Sequence, residues 1–236
     1  MATRYAKIIT TFNEKGGSGK TTLSCQLAIT LAKRGFSVLL ADLDGQKTSL
    51  AWSVAGAADN AFKASVRFLA DYGGNATQEI QKEIDKYDFI IADCAPSVEQ
   101  PSTWGMLLVC DLALIPTRLS PPDLQALKAA KKLAARALEE RGKNDSFPVR
   151  VVANSVRKHM EEDKDYLKQL KADKEFPPLD ETLGDRRAYQ RSMIFGSSVH
   201  AVPGSKDAVL EVEALTDRVL QLVGMGRSTI RKAVAA

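Results

Sequence analysis

The segment FNEKGGSGKTTLS, residues 12–24, gathers the residue types that hold phosphate. Gly16, Gly17 and Gly19 let successive backbone N–H groups turn inward, and the helix that opens at Lys20 adds the positive end of its dipole. Gly19, Lys20 and Thr21 satisfy the second half of the rule Gly, four residues, Gly-Lys-Ser/Thr. The first glycine of that rule would stand at position 14, where Glu14 stands instead, followed by a second lysine, Lys15. Such a loop cradles a polyphosphate. Lys20 would reach the β- and γ-phosphates, the Thr21 hydroxyl would ligate Mg²⁺, and Thr22 would donate to the α-phosphate.

A loop of this kind needs a strand before it and a helix after it, and the chain supplies both. AKIITTF (6–12) reads as a strand that runs into the loop, and Leu23, Leu27 and Leu31 mark one helical face over 20–34. The continuous apolar runs FSVLLADLD (36–44), YDFIIADC (87–94), DLALIPT (111–117) and FPVRVVAN (147–154) have the character of strands covered on both faces. ASVRFL (64–69) and DETLGD (180–185) are weaker strand candidates. Helical patterns fill 46–56, 76–85, 99–108, 122–140, 160–172, 186–194 and 206–223. This alternation predicts an α/β fold, doubly wound, with one mostly parallel sheet flanked by helices. The reading is a single domain over 1–223 and a tail, frayed or shortly helical, over 224–236.

Composition agrees. The 236 residues are 44% hydrophobic and 26% charged with a net charge of +4, which suits one soluble α/β domain and leaves any basic surface to clustering. Cys25, Cys94 and Cys110 have neither zinc nor disulfide spacing, and no apolar run is long enough for a signal peptide or a membrane span. The expected location is the cytoplasm.

KGGSGKTT resembles the deviant Walker A motif, KGGxGKT(T/S), of the ParA/MinD family of ATPases. The resemblance implies a P-loop NTPase fold with ATP and Mg²⁺ as cofactors, the nucleotide being held by Lys15, Gly16, Gly17, Ser18, Gly19, Lys20, Thr21 and Thr22. It makes Lys15 the signature lysine, which crosses to the phosphates of a second ATP-bound subunit. VLLADLDGQKTSL resembles the family's Walker A′ segment, so that Asp44 would position the attacking water and Asp42 would belong to the Mg²⁺-side network. Gly45 stands where that segment usually has proline. YDFIIADCAPS resembles the Walker B strand, which assigns Asp93 to the Mg²⁺ site with Cys94 in place of threonine, as a small buried side chain. VVANSVRK is similar to the strand that sets an asparagine, Asn154, on the adenine. The stretch from Leu183 to Leu220 resembles the family's C-terminal quarter.

Several activities share this scaffold. The cysteines do not fit an iron protein that shares a cluster between subunits, the tail lacks the tyrosines of a bacterial tyrosine kinase, and the chain leaves little room for the substrate segments of the metabolic synthetases. A ParA-type partition ATPase remains, dimeric on ATP, binding DNA without sequence preference, and stimulated by a ParB-like partner. The alternatives are a MinD-like membrane-associated ATPase and a ParA-like ATPase that positions a protein cargo. GRSTIRKAVAA at the C-terminus carries too little apolar area for membrane targeting. The family's DNA-binding surface lies in the last third, where Arg187 and Arg218 are the leading candidates. Arg157, Lys158 and Lys206 follow, and Arg186, Arg191, Arg227, Arg231 and Lys232 complete the basic set. With the first strand beginning near residue 6, no N-terminal helix-turn-helix domain is expected.

Overall fold

The computed structural model describes residues 5–56 and 62–225. Their six strands are β1 (Lys7–Thr11), β2 (Val38–Leu43), β3 (Ser65–Phe68), β4 (Phe89–Cys94), β5 (Leu112–Thr117) and β6 (Val149–Ala153). All pair in parallel, in the order β3-β2-β4-β1-β5-β6. The helices are α1 (Lys20–Lys33), α2 (Thr48–Val54), α3 (Ala76–Gln81), α4 (Pro101–Leu107), α5 (Pro121–Arg141), α6 (Glu161–Lys171), α7 (Arg187–Ile194) and α8 (Lys206–Leu222).

The period-2 alternation of the strands divides the core into two layers. Ile8, Leu39, Ile90 and Ala113 face one side, where Ile80, Met106, Leu107, Leu127 and Leu133 from α3, α4 and α5 cover them. Ile9, Leu40, Ile91 and Leu112 face the other, against Leu23, Leu27 and Leu31 of α1 and Val212, Leu215 and Val219 of α8. Every residue of β2, β4 and β5 is buried, which is why those segments are apolar without interruption. The longest helix, α5, starts on Pro121 and stops at Gly142, whose φ of 74° is a left-handed end that suits glycine.

DETLGD (180–185) is not a strand. The segment runs beside β6 and pairs only at two isolated bridges, Val151 with Pro178 and Val156 with Gly184. The Leu179 N–H donates to the Val151 carbonyl at 2.8 Å and the Leu183 N–H to the Ala153 carbonyl at 3.0 Å. The segment advances four residues, from Leu179 to Leu183, while β6 advances two, from Val151 to Ala153. The register of a ladder is therefore lost, yet the edge of β6 is covered. ASVRFL does become a strand, the short edge strand β3.

Parallel register decides what the strand ends bring together. Thr11 of β1 and Asp42 of β2 both stand opposite Asp93 of β4. The turns after β1, β2, β4, β5 and β6 therefore open at one end of the sheet, the carboxyl end, where open α/β sheets bind ligands.

Candidate functional site

The turn between β1 and α1 is built around glycine. Gly17 and Gly19 have φ of 75° and 102°, and a Cβ on Gly19 would lie 1.9 Å from Nδ2 of Asn154. Position 19 thus needs glycine twice over, for its backbone and for the close approach of Asn154. The first turn of α1 carries no acidic residue, so nothing neutralises the positive end of the helix. Lys20 is buried, and its ammonium donates to the Lys15 carbonyl at 3.0 Å, bridging the two ends of the loop. Burial lowers the Lys20 pKa, and Asp93 opposes that shift. The buried Ser18 hydroxyl has no hydrogen-bond partner among the described residues. The free helix end, the buried lysine and the unused donor fit a polyphosphate.

Asp93 is fully buried at the end of β4. Its carboxylate accepts from the Ser49 hydroxyl at 2.7 Å and the Ser24 hydroxyl at 3.2 Å, and the Thr21 hydroxyl also bonds it. Desolvation lifts its pKa from 3.8 to about 6 despite those bonds. Among the described residues no three His, Cys, Asp or Glu side chains gather for a metal. Mg²⁺ takes one or two protein ligands and completes its shell with water and substrate phosphates. Asp93 and Thr21 are the pair that would hold it.

Asp42 is occupied differently. One carboxylate oxygen accepts the Asp44 N–H at 3.1 Å and the other the Leu50 N–H at 3.0 Å. It therefore shapes the turn between β2 and α2. Asp44 lies on that turn, half-buried, takes the Gln46 N–H at 3.0 Å and borders the nucleotide-sized cavity. Gly45 is exposed, and no atom lies within 4 Å of its would-be Cβ. Cys94 is a buried free thiol with its pKa pushed up by desolvation, as expected of a packing residue.

The cavity has a volume of about 550 Å³. Gly16, Gly17, Gly19, Lys20, Thr21 and Thr22 line it together with Asp44, and so do Asn154 and Ser155 after β6 and Gly184, Asp185, Arg186 and Tyr189 before and within α7. Asn154 donates from Nδ2 to the Ser18 carbonyl at 3.0 Å, which places it against the loop. Ser155 follows with φ of 54°, a left-handed conformation held at the end of β6. Trp52 of α2 forms part of the wall, its indole N–H donating to the Ser197 carbonyl at 2.9 Å.

The two lysines of the loop are treated differently. Lys20 lines the cavity; Lys15 does not, and its ammonium pairs with the Asp123 carboxylate in the first turn of α5 at 2.9 Å. Asp123 is buried and Lys15 half-exposed, so this contact anchors the loop to α5.

The basic candidates separate in the same way. The Arg157 guanidinium is held by Asp163 at 2.8 Å, and Arg218 by Glu181 at 3.2 Å and Gln221 at 3.1 Å. Arg187, Lys158 and Lys206 are exposed and form no ion pair among the described residues. Arg227, Arg231 and Lys232 lie outside the described residues.

Several site residues were missed in the sequence. Arg118, exposed at the end of β5, lines the cavity, as do Arg186 and Tyr189. Ser24 and Ser49 hold the buried aspartate. Ser24 stands one helical turn after Lys20, a spacing that points it back at the loop; nothing in the local sequence marks Ser49 or Tyr189.

Against known proteins, the CobQ/CobB/MinD/ParA nucleotide binding domain matches residues 9–199. The chain belongs to this family. A maintenance of carboxysome distribution protein A of Halothiobacillus neapolitanus is 34% identical over 126 residues, covering 53% of this chain and 57% of that one. This chain thus spans little more than half the length of that relative. A probable plasmid-partitioning ParA of Thermus thermophilus is 25% identical, over 93% of this chain and 80% of its own. Among solved structures, an ATP complex of an aspartate-to-alanine variant of Cyanothece McdA superposes with a TM-score of 0.76 at 14% identity, covering 94% of this chain and 98% of that one. That likeness is one of fold.

Proposed function

We propose that the chain is a ParA-type ATPase that dimerises on ATP, binds DNA without sequence preference and positions a cargo through a ParB-like partner. The reading rests on the separation of the two loop lysines. Lys20 lines the phosphate end, whereas Lys15, on the same loop, is turned away to Asp123. A cation held outside its own subunit's cavity is suited to serve a second subunit's phosphates, where charge develops as the phosphoryl group transfers.

In this scheme the loop amides and Lys20 hold the phosphates, Thr21 and Asp93 hold Mg²⁺, and Asn154 meets the base. The metal, when bound, neutralises charge on the phosphates. Asp44, at the mouth of the cavity, orients the attacking water. ATP and DNA each favour the dimer, so each strengthens binding of the other. The protein works in the cytoplasm, at the nucleoid when ATP-bound. Among the described residues no helix is long and apolar enough to cross a membrane.

DNA partition is the first reading of the cargo. The Halothiobacillus relative, named for carboxysome distribution, supports a second reading in which the cargo is a protein assembly.

Lys15→Ala tests the scheme. Hydrolysis and ATP-dependent dimerisation, followed by light scattering, should both be lost while ATP still binds the monomer. Equal loss of binding and hydrolysis would make Lys15 another ligand of its own subunit's phosphates. DNA binding should require ATP and weaken steeply with salt.

A further inference from the structure

We propose that Glu211 of α8, which lies outside the loops lining the cavity, positions the base-side wall of the nucleotide site. Its side chain is 9% exposed. One carboxylate oxygen accepts the Gly184 N–H at 2.9 Å and the Tyr189 hydroxyl at 2.9 Å. The other accepts the Arg186 guanidinium twice, at 3.0 Å from Nε and 2.9 Å from Nη2. A carboxylate has room for about four hydrogen bonds, so this one is fully used. All three partners line the cavity.

The donors all come from the connection that leads into α7 and from its first turn, and they converge on one acceptor from another helix. Asp207, one turn earlier on α8, adds a contact of 3.0 Å to Nη1 of Arg186. The approach is close enough to dictate a residue type: a Cβ on Gly184 would lie 3.0 Å from Oε1 of Glu211 and 3.1 Å from Nε of Arg186. Burial and Glu211 together keep the Tyr189 phenol protonated, so it remains a donor. Without the carboxylate, a backbone N–H and a phenol lose their acceptor, and the guanidinium keeps only its exposed contact to Asp207. The phosphate end, carried by β1 and α1, is untouched.

The inference rests on the reading that ATP lies with its base toward Asn154 and Tyr189. It is tested by steady-state ATP hydrolysis of the wild type, Glu211→Ala, Glu211→Gln and Tyr189→Phe, with inhibition by inorganic triphosphate measured alongside. Glu211→Ala should raise KM for ATP about tenfold with kcat held, as expected for losing bonds to a buried charge. Glu211→Gln keeps one acceptor oxygen and should raise it about threefold, and Tyr189→Phe less. Inhibition by triphosphate, which has no base, should be unchanged in all of them. If Glu211→Ala fails to fold, the other two variants carry the test. KM values matching the wild type overturn the proposal. So does a fall in kcat with weakened triphosphate inhibition, which would mean that the residue supports the whole domain. A wild type that neither binds nor hydrolyses ATP overturns the nucleotide reading itself, and is told apart because the parent protein is silent.

Discussion

The two sides of the cavity are built on different principles. The loop side comes mostly from residues close together in the chain, a loop of eight and one helix start, with two aspartates from other strands that parallel register sets beside it. The other wall is assembled from distant pieces, with Asn154 just after β6, Gly184 to Tyr189 on the connection into α7 and its first turn, and Glu211 on α8 to hold Gly184, Arg186 and Tyr189. On the proposed placement of ATP, chemistry that every nucleoside triphosphate shares would sit on the contiguous part. Chemistry that tells one nucleotide from another would then sit on the part that depends on tertiary contacts.

The sharpest way to break this contrast is Lys20→Ala. Removing a preorganised cation from developing charge should cut ATP turnover by roughly 10²–10³-fold, and inhibition by inorganic triphosphate should weaken with it. If triphosphate inhibition survives, the phosphate end is not where it has been placed.

Next in size is Asp93→Asn. Burial raises the Asp93 pKa from 3.8 to about 6, so the metal-free fold binds this proton more tightly than the unfolded chain does. The folded state therefore loses stability as pH rises between about 4 and 6, and the whole cost, on the order of 2–3 kcal/mol, is present above that window. The asparagine variant should lose Mg²⁺-dependent turnover yet unfold at higher denaturant than the metal-free wild type at neutral pH. The two should converge below about pH 4, where both side chains are neutral. Chemical denaturation across pH, in chelator, reads this out. A variant less stable than wild type at neutral pH would show that the hydroxyls of Ser24 and Ser49 outweigh the desolvation.

The smallest effect concerns the basic surface near the other wall. Arg187 is exposed and forms no ion pair among the described residues, while Arg218 is held by Glu181. Arg187→Ala should lower the slope of log affinity for duplex DNA against log salt by about one, the share of a single phosphate contact. Arg218→Ala should change it less. The reverse order would mean that Arg218 exchanges Glu181 for phosphate on binding.

How much of this was legible in the sequence follows the same division. The five buried strand runs and the phosphate loop are visible because burial on both faces leaves continuous apolar segments, and because glycines and Gly-Lys-Thr-Thr must be contiguous to work. The edge beside β6 was read as a strand over 180–185, since Leu183 lies in a short run that looks extended. What breaks the ladder is register: the segment advances four residues, from Leu179 to Leu183, while β6 advances two, from Val151 to Ala153, and no local pattern announces that. Asp42 has the right type and place for a metal network, and that its two oxygens also take the N–H groups of Asp44 and Leu50, shaping the turn, is a fact that only the fold reveals. Ser49 and Glu211 carry no local signal at all, because what they do is decided by helices arriving from elsewhere in the chain.

The chain has two tryptophans, and the fold separates them. Trp52 stands in the wall of the cavity, bonded to Ser197, while Trp104 packs against the opposite core layer beneath the guanidinium of Arg136. The protein therefore contains its own optical reporter. With Trp104 replaced by phenylalanine, the remaining indole emits from the cavity wall alone, and its fluorescence should follow the filling of the cavity by ATP in real time without any label.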